Sequence, residues 1–450
     1  MRIHIYGSNG VPTIPRLTVC AFNQTAIKYA KSLKEQGHHI IFYGTKEFES
    51  QFETICSEFV PNSSIETFKP LVSMQKCQEH FDWDDNVLKE WQTEFGATMW
   101  HPNLDSLSPE ELENHLITAF SFGSYLSNSM GPACMNIVRC VRQEVRSGME
   151  IASDYIQPGD IILTFYDVNA YDLYRKWEQQ GAIVVYGLEQ SGGYSLHNRI
   201  IFASQHTLRT QNRNIDGIGK HHYVVPPFFQ PADFTFNPRP RDPTGPFLFL
   251  GRIQECKGAV FFLDLVRRFP KFTFWMAGPA KFENNKLYVQ NYGYDMLYDL
   301  DKYPNLKFWG IADKQLRSKL LSEATALIQP SQYGEPFGWN VVEANLCGTP
   351  AIAPHRGAFP ETIEIGVSGF RYPVAKRQHY TAEEWNKRYD TEIEWSHSKW
   401  MSILQACASL SPDVIRERAI RLYSEESIMT KYVEALEKIK ADPGDLLITF

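Results

Sequence analysis

Apolar residues in this chain fall into short runs, separated by stretches of helical period, and the two alternate in a regular order. Arg2 to Tyr6 is the first apolar run and predicts a strand; a glycine-bearing loop, Gly7-Ser8-Asn9-Gly10, follows it. Between Gln24 and Gln36, Ile27, Ala30, Lys31 and Leu33-Lys34 stand at helical spacing, and Gly37 stops the helix. His38 to Tyr43 returns as a strand. A strand–helix–strand opening is how a doubly wound α/β domain begins. Further strands are expected at Asp160 to Phe165, Ala182 to Tyr186, Arg199 to Ala203 and Tyr223 to Val225, with a helix over Tyr171 to Gln180. The stretch from Cys77 to Tyr155 reads as mostly helical and is longer than a plain crossover needs.

A proline-rich passage then runs from Pro226-Pro227 through Pro231, Pro238, Pro240 and Pro243 to Pro246. Proline at this density resists both helix and central strand, so it marks a linker. A second alternation starts at once. Strands are expected at Pro246 to Gly251, Phe272 to Ala277, Asn305 to Gly310, Ala326 to Gln329 and Pro350 to Ala353. Helices are expected at Ala259 to Phe269, Lys314 to Glu323 and Asn340 to Leu346, and two more, Asp413 to Tyr423 and Glu425 to Lys440, close the chain. The pattern predicts an N-terminal Rossmann-like domain over 1–228 with helical insertions and a linker over 229–246. A C-terminal Rossmann-like domain follows over 247–410, and terminal helices occupy 411–450. Ligands of such sheets sit beyond the carboxyl ends of the strands, so two facing sheets predict one cleft between the domains.

Composition narrows the class. The length of 450 residues exceeds one ordinary core. A net charge of -7 argues against a general nucleic-acid binder. The eight cysteines are scattered, with neither a C-x-x-C pair nor a Cys/His cluster at metal-ligand spacing. That usage fits free thiols in a reducing compartment and predicts a cytoplasmic protein. The opening Met1-Arg2-Ile3-His4 turns polar too soon for a signal peptide, and no apolar run approaches the roughly 18–20 residues of a membrane span. Peripheral membrane contact is compatible with this, and the oligomeric state is open.

The chemistry concentrates in Pro330-Ser331-Gln332-Tyr333-Gly334-Glu335-Pro336-Phe337-Gly338-Trp339-Asn340-Val341-Val342-Glu343. A strand end, a tight glycine loop and a helix start aim N–H groups and the positive helix end at an anion, as a phosphate site requires. Glu335 in the loop and Glu343 in the helix would accept charge-assisted hydrogen bonds from polyhydroxyl groups on either side of that phosphate. A second element, Gly251-Arg252-Ile253-Gln254-Glu255-Cys256-Lys257-Gly258, places two cations beyond the first strand of the same domain. Fixed cations there would stabilise charge on a departing diphosphate, the work a divalent metal does in other transferases.

These motifs, with Ala277-Gly278-Pro279, Gly348-Thr349-Pro350, Gly357, Pro360-Glu361 and Gly366 to Gly369, resemble family 4 of the retaining glycosyltransferases. The resemblance covers most of Phe247 to Phe370. It implies the GT-B fold: two Rossmann-like doubly wound domains facing an interdomain cleft, with the terminal helices over 411–450 returning toward the first domain. It further implies that Arg252 and Lys257 bind the donor diphosphate and that Glu335, with the backbone at Phe337 and Gly338, holds the donor sugar. By the same resemblance Glu343 binds the ribose, Ile311 lies against the base, and Gly10 stands where the family has glycines near the phosphates. The family's histidine after the strand at Ile161 to Phe165 is replaced by Tyr166-Asp167. Asp167 and His101 are therefore the acceptor-side candidates.

Plainer readings apply elsewhere. Asp82-Trp83-Asp84 has the form of a metal-binding Asp-x-Asp but lies in a polar, helical-looking stretch and reads as a solvated face. Glu361 reads as a helix-start acid and His221-His222 as loop. The expected activity is metal-independent, retaining transfer of a hexose-type sugar from a nucleoside-diphosphate sugar to an acceptor hydroxyl, with no cofactor. The alternatives are a non-catalytic sugar-nucleotide-binding scaffold and a GT-B phosphorylase or synthase acting on a sugar phosphate.

Overall fold

A computed structural model of the protein describes residues 1–6, 21–63, 106–108, 110–111, 149–165, 171–189, 199–212, 221–291, 294–374 and 397–444. Arg2–Tyr6 (β1), His39–Thr45 (β2), Glu58–Ser63 (β3), Ile161–Thr164 (β4), Ile183–Glu189 (β5), Arg199–Phe202 (β6) and His221–Val224 (β7) form one sheet, ordered β3-β2-β1-β4-β5-β6-β7. Every pairing in it is parallel. Its central strands are apolar without alternation, as Ile161-Ile162-Leu163 shows, because helices cover both faces. The helix Ala21–Glu35 (α1) supplies Ala26, Tyr29, Ala30 and Leu33 to that core, at spacings of three and four. On the same half lie Glu49–Phe52 (α2), Tyr171–Gln179 (α3) and Gln205–Asn212 (α4).

From Val225 to Pro246 the chain has neither a strand nor an α-helix, only a 3-10 turn at Pro231–Asp233 and an isolated bridge from Phe229 to Ser424. A second parallel sheet follows. Phe247–Leu250 (β8) and Phe274–Ala277 (β9) come first, then an antiparallel meander of Lys281–Glu283 (β10), Lys286–Asn291 (β11) and Tyr294–Asp299 (β12). Leu306–Phe308 (β13), Ala326–Ile328 (β14), Ala351–Pro354 (β15) and Gly369–Tyr372 (β16) complete the sheet in the order β13-β9-β8-β14-β15-β16. Its helices are Ala259–Arg268 (α5), Lys314–Glu323 (α6), Trp339–Leu346 (α7), Phe359–Thr362 (α8) and His397–Cys407 (α9).

The last two helices, Pro412–Tyr423 (α10) and Glu425–Ala441 (α11), are built on the second half but pack on the first. Ile428, Met429, Tyr432, Ala435, Leu436 and Ile439 of α11 lie in the same buried cluster as Ile3, Ile5, Tyr29 and Leu33. Phe337, Val342 and Leu346 from around α7 belong to that cluster too, so one core spans both halves. Tyr432 donates from its hydroxyl to the Gly187 carbonyl at 2.7 Å and packs 4.6 Å from the Tyr29 ring.

Several segments depart from the sequence expectation. His221-His222 is not loop: both residues begin β7, paired in register with Arg199 and Ile200. His221 is buried there because the chain near Gly444 closes over its ring. The strand β3 and the meander β10–β12 were not anticipated, since each mixes polar and apolar residues without a buried run. The stretch expected to be helical, Cys77 to Tyr155, lies mostly outside the described residues; near its end Glu150–Asp154 is a 3-10 helix. Asp82-Trp83-Asp84 lies outside them as well.

Tyr432→Phe should lower stability by about 1–2 kcal/mol, because the buried Gly187 carbonyl loses its partner. Chemical denaturation of the two proteins checks this; equal midpoints would mean the bond contributes nothing net.

Candidate functional site

In the second sheet, connections from β8 run to β9 and β13 on one side and then return to β14 on the other. The crevice beyond β8 and β14 is the topological switch point, where open α/β sheets bind ligands. The two segments singled out in the sequence, Gly251–Gly258 and Pro330–Gly338, leave the carboxyl ends of these two adjacent strands.

The first segment is held from below. The Gln254 side chain donates to Gln290 of β11, and the Gln290 amide donates to the Ile253 carbonyl at 3.1 Å. The meander thus braces the loop that carries both cations. Gly258 closes it with φ +84°, and a Cβ there would stand 2.0 Å from the Pro330 carbonyl oxygen, so only glycine lets the two loops touch. Lys257 pairs with Glu335, its Nζ lying 3.1 Å from Oε1, and it also donates to the Tyr333 hydroxyl. Both charged side chains are largely buried. Half-buried Arg252 makes no ion pair or side-chain hydrogen bond to another described residue.

The second segment is fixed by its neighbours. Ser331 donates to Glu335 Oε2 at 3.0 Å. Arg356 donates to the Gln332 carbonyl at 2.5 Å, and Ala358 N–H to the Glu335 carbonyl at 2.9 Å. Burial and the Glu335 carboxylate push the Tyr333 phenol far above its ordinary range, so it stays neutral beside Lys257. The Phe337 ring turns into the shared core, 5.6 Å from Tyr423, and leaves only its backbone near the crevice. Gly338 caps α7 in the left-handed region. Within α7, Glu343 is gripped by Arg317 of α6, whose Nε donates to Oε2 at 2.6 Å while Nη2 reaches Asn340 Oδ1 at 2.5 Å. Ile311, after β13 and Gly310, is 71% exposed, an apolar surface beyond the carboxyl end of the sheet's outer strand.

The structure therefore brings Arg252, Lys257, Glu335, Gly338 and Glu343 to the carboxyl end of one sheet. Gly10, His101 and Asp167 lie outside the described residues, as does Tyr166. Sequence reasoning missed Arg317, Tyr333 and Ser331, and it missed Lys28. That lysine, on α1, lies over the rings of Phe228 (4.7 Å) and Trp339 (5.7 Å) and donates to the Phe228 carbonyl at 2.9 Å. Burial draws its ammonium down to about 8, with Glu343 the first of the carboxylates opposing that shift. Glu361 does sit in the first turn of α8, but its carboxylate points at the other half of the molecule: it accepts from Gln205 N at 2.8 Å and His206 N at 2.9 Å.

Glu255 is the exception to this pairing. It is 5% exposed, its Oε2 has no hydrogen-bond partner, and burial pushes its carboxyl up to about 6. A carboxyl raised in the native state holds its proton there more tightly than in the unfolded chain. Its contribution is present below the ordinary value of 4.5 and is lost as pH rises through about 6. Glu255→Gln should remove that loss. Urea denaturation should show the variant gaining on the wild type between pH 4.5 and 7; a constant difference across the two would show that Glu255 does not titrate in this window.

Residues 235–386 match the family described as glycosyl transferases group 1. An uncharacterized 41.2 kDa protein in the cps region of Klebsiella pneumoniae is 26% identical over 162 residues, 34% of this chain and 41% of its own length. An uncharacterized glycosyltransferase of Methanocaldococcus jannaschii is 30% identical over 128 residues, 27% of this chain and 30% of its own. The matched segments thus span less than half of either relative. AviGT4, a glycosyltransferase involved in avilamycin A biosynthesis, has a solved structure that covers 100% of both chains with a TM-score of 0.53 at 14% identity, a likeness of fold. The two doubly wound sheets and the matched segment together give the chain the GT-B fold, with a glycosyltransferase group 1 domain over residues 235–386.

Proposed function

We propose that the protein is a retaining glycosyltransferase that moves a hexose-type sugar from a nucleoside-diphosphate sugar to an acceptor hydroxyl, without a metal ion. The observation that carries the reading is the Lys257–Glu335 ion pair beside unpaired Arg252 at the switch point. A diphosphate entering there would meet Arg252 first. It would then compete with Glu335 for Lys257, and a released Glu335 would be free to accept hydrogen bonds from sugar hydroxyls. Each charge would exchange one partner for another, so no ion is left buried and alone at any stage.

In this reading the nucleoside lies toward α7 and β13, with Glu343 accepting from the ribose and Ile311 against the base. Arg317 holds the Glu343 carboxylate in one orientation, as a preorganised acceptor requires. The nucleoside diphosphate would leave on the face from which the acceptor hydroxyl attacks, with its growing charge stabilised by Arg252 and Lys257. The acceptor would come from the N-terminal half across the cleft. Uridine and guanosine diphosphate sugars are the donors to try first, and a cytoplasmic location fits the thiol usage.

Lys257→Ala and Glu335→Ala should each lower the transfer rate on the order of a hundred- to a thousand-fold, the usual cost of losing one preorganised electrostatic contact. Thermal unfolding with UDP and GDP in the presence of a chelator supplies the binding readout. Saturation at about a hundred times the dissociation constant should stabilise the protein by about 2.7 kcal/mol, and Glu343→Ala should abolish the shift. The anomeric configuration of the product, read by proton NMR, decides between retention and inversion. Binding without transfer to any hydroxyl acceptor, and without slow donor hydrolysis, would sink the enzymatic reading in favour of a sugar-nucleotide-binding scaffold.

A further inference from the structure

We infer that Glu361 is a positioning residue for the donor loop, tying the start of α4 in the N-terminal half to the segment that carries Glu335. The inference rests on the reading of that segment given above.

The first N–H groups of a helix have no partner within it. At α4 they are satisfied from two sources. Thr207 N–H donates to Ser204 Oγ at 3.1 Å, an ordinary local cap. Gln205 and His206 N–H donate instead to the two carboxylate oxygens of Glu361, a residue of the other half. A carboxylate that accepts two backbone N–H groups at the positive end of a helix is held by charge as well as by hydrogen bonds.

Two further ties converge on the same place. The Ser204 hydroxyl, while accepting from Thr207, donates across to the Pro336 carbonyl at 2.6 Å. The His206 ring lies so close to Gly334 that a Cβ there would come within 2.7 Å of Nε2. Residues 204–206 thus touch Gly334 and Pro336, on either side of Glu335, and grip Glu361 directly.

Glu361 in turn is part of the frame behind Glu335. It stands three residues after Ala358, whose N–H holds the Glu335 carbonyl, and four after Gly357, where a Cβ would lie 2.4 Å from Glu335 N. From the far side α10 fixes its backbone: Tyr423 donates to the Glu361 carbonyl at 3.4 Å, and Arg418 to the Thr362 carbonyl at 3.2 Å. A shift of α4 is therefore transmitted through Glu361 to the main chain of Glu335. The half that faces the acceptor and the loop that faces the donor sugar move as one at this point.

The test compares wild type, Glu361→Ala, Glu361→Gln and Ser204→Ala by amide exchange, nucleotide affinity and turnover. In Glu361→Ala, exchange should quicken at Gln205 and His206 and also across Gly334, Glu335 and Phe337. Its kcat should fall about tenfold, about 1.4 kcal/mol, while the nucleotide dissociation constant stays at the wild-type value. Glu361→Gln keeps one acceptor oxygen and should recover part of kcat. Faster exchange confined to Gln205 and His206, with wild-type kcat, would reduce Glu361 to a cap and overturn the inference. If Glu361→Ala does not fold, Ser204→Ala should quicken exchange at Thr207, whose cap it removes, and also across 334–337, and unchanged exchange across 334–337 would overturn it equally. A wild type that transfers no sugar would remove the proposed function, and the exchange pattern would then decide the tie by itself.

Discussion

A parallel sheet buried on both faces must be covered on both faces, and that requirement organises this molecule. The N-terminal sheet does not cover itself with its own segments alone. Its core takes in the apolar stripe of α11 and, from around α7, Phe337, Val342 and Leu346. Hydrophobic burial is non-directional, but here it determines which parts of the chain can be neighbours. Because the helix that starts after Gly338 shares a core with the first sheet, the loop before it cannot drift from the N-terminal half without opening the core. Phe229 in the linker packs against both Phe337 and Trp339, at ring distances of 6.3 and 5.1 Å, and seals the junction.

Charge is handled by the same logic of completeness. Taking an ion out of water costs several kcal/mol unless a partner replaces the solvent. Around the crevice Lys257 has Glu335, Glu343 has Arg317, and the α4 start has Glu361. Arg252 and Lys28 have no ion pair to a described residue: Arg252 is only half buried, and Lys28 donates to the Phe228 carbonyl and lies over aromatic rings. Glu255 is a buried acid with an oxygen left unpartnered, and it responds by holding its proton more tightly.

The sequence made the second sheet readable almost strand by strand, for a physical reason. Parallel strands covered on both faces are short unbroken apolar runs, such as Phe247-Leu248-Phe249-Leu250, and glycine or proline punctuates each end. The meander escaped because its antiparallel strands bury one face only and carry Lys, Gln and Asp on the other. β3 escaped because Pro61 interrupts it, as an edge strand tolerates. Within the site, the spacing of Glu335 and Glu343 was visible because both lie on one continuous loop and helix. Their partners were not. Arg317 and Tyr333 acquire meaning only through contacts 26 and 76 residues away in sequence. Glu361 was legible as a helix-start acid, but nothing local to Pro360-Glu361 says that the helix it serves best is α4.

A site whose charges are already paired restricts what can enter it. A ligand offering only an anion would capture Arg252 and Lys257 but leave the buried Glu335 carboxylate without its cation. A ligand offering only hydroxyls would have to satisfy Glu335 while Lys257 stayed bound to it, and would gain little. A molecule that presents an anion and, a short distance away, a row of hydroxyls can replace both halves of the pair at once. The cost of separating the pair is then offset on both sides, and only for such a molecule. On the proposed function, selectivity for a sugar carried on a diphosphate would follow from the pairing itself, before any contact with the base or the acceptor is counted. The ion pair is therefore as much a filter as a support.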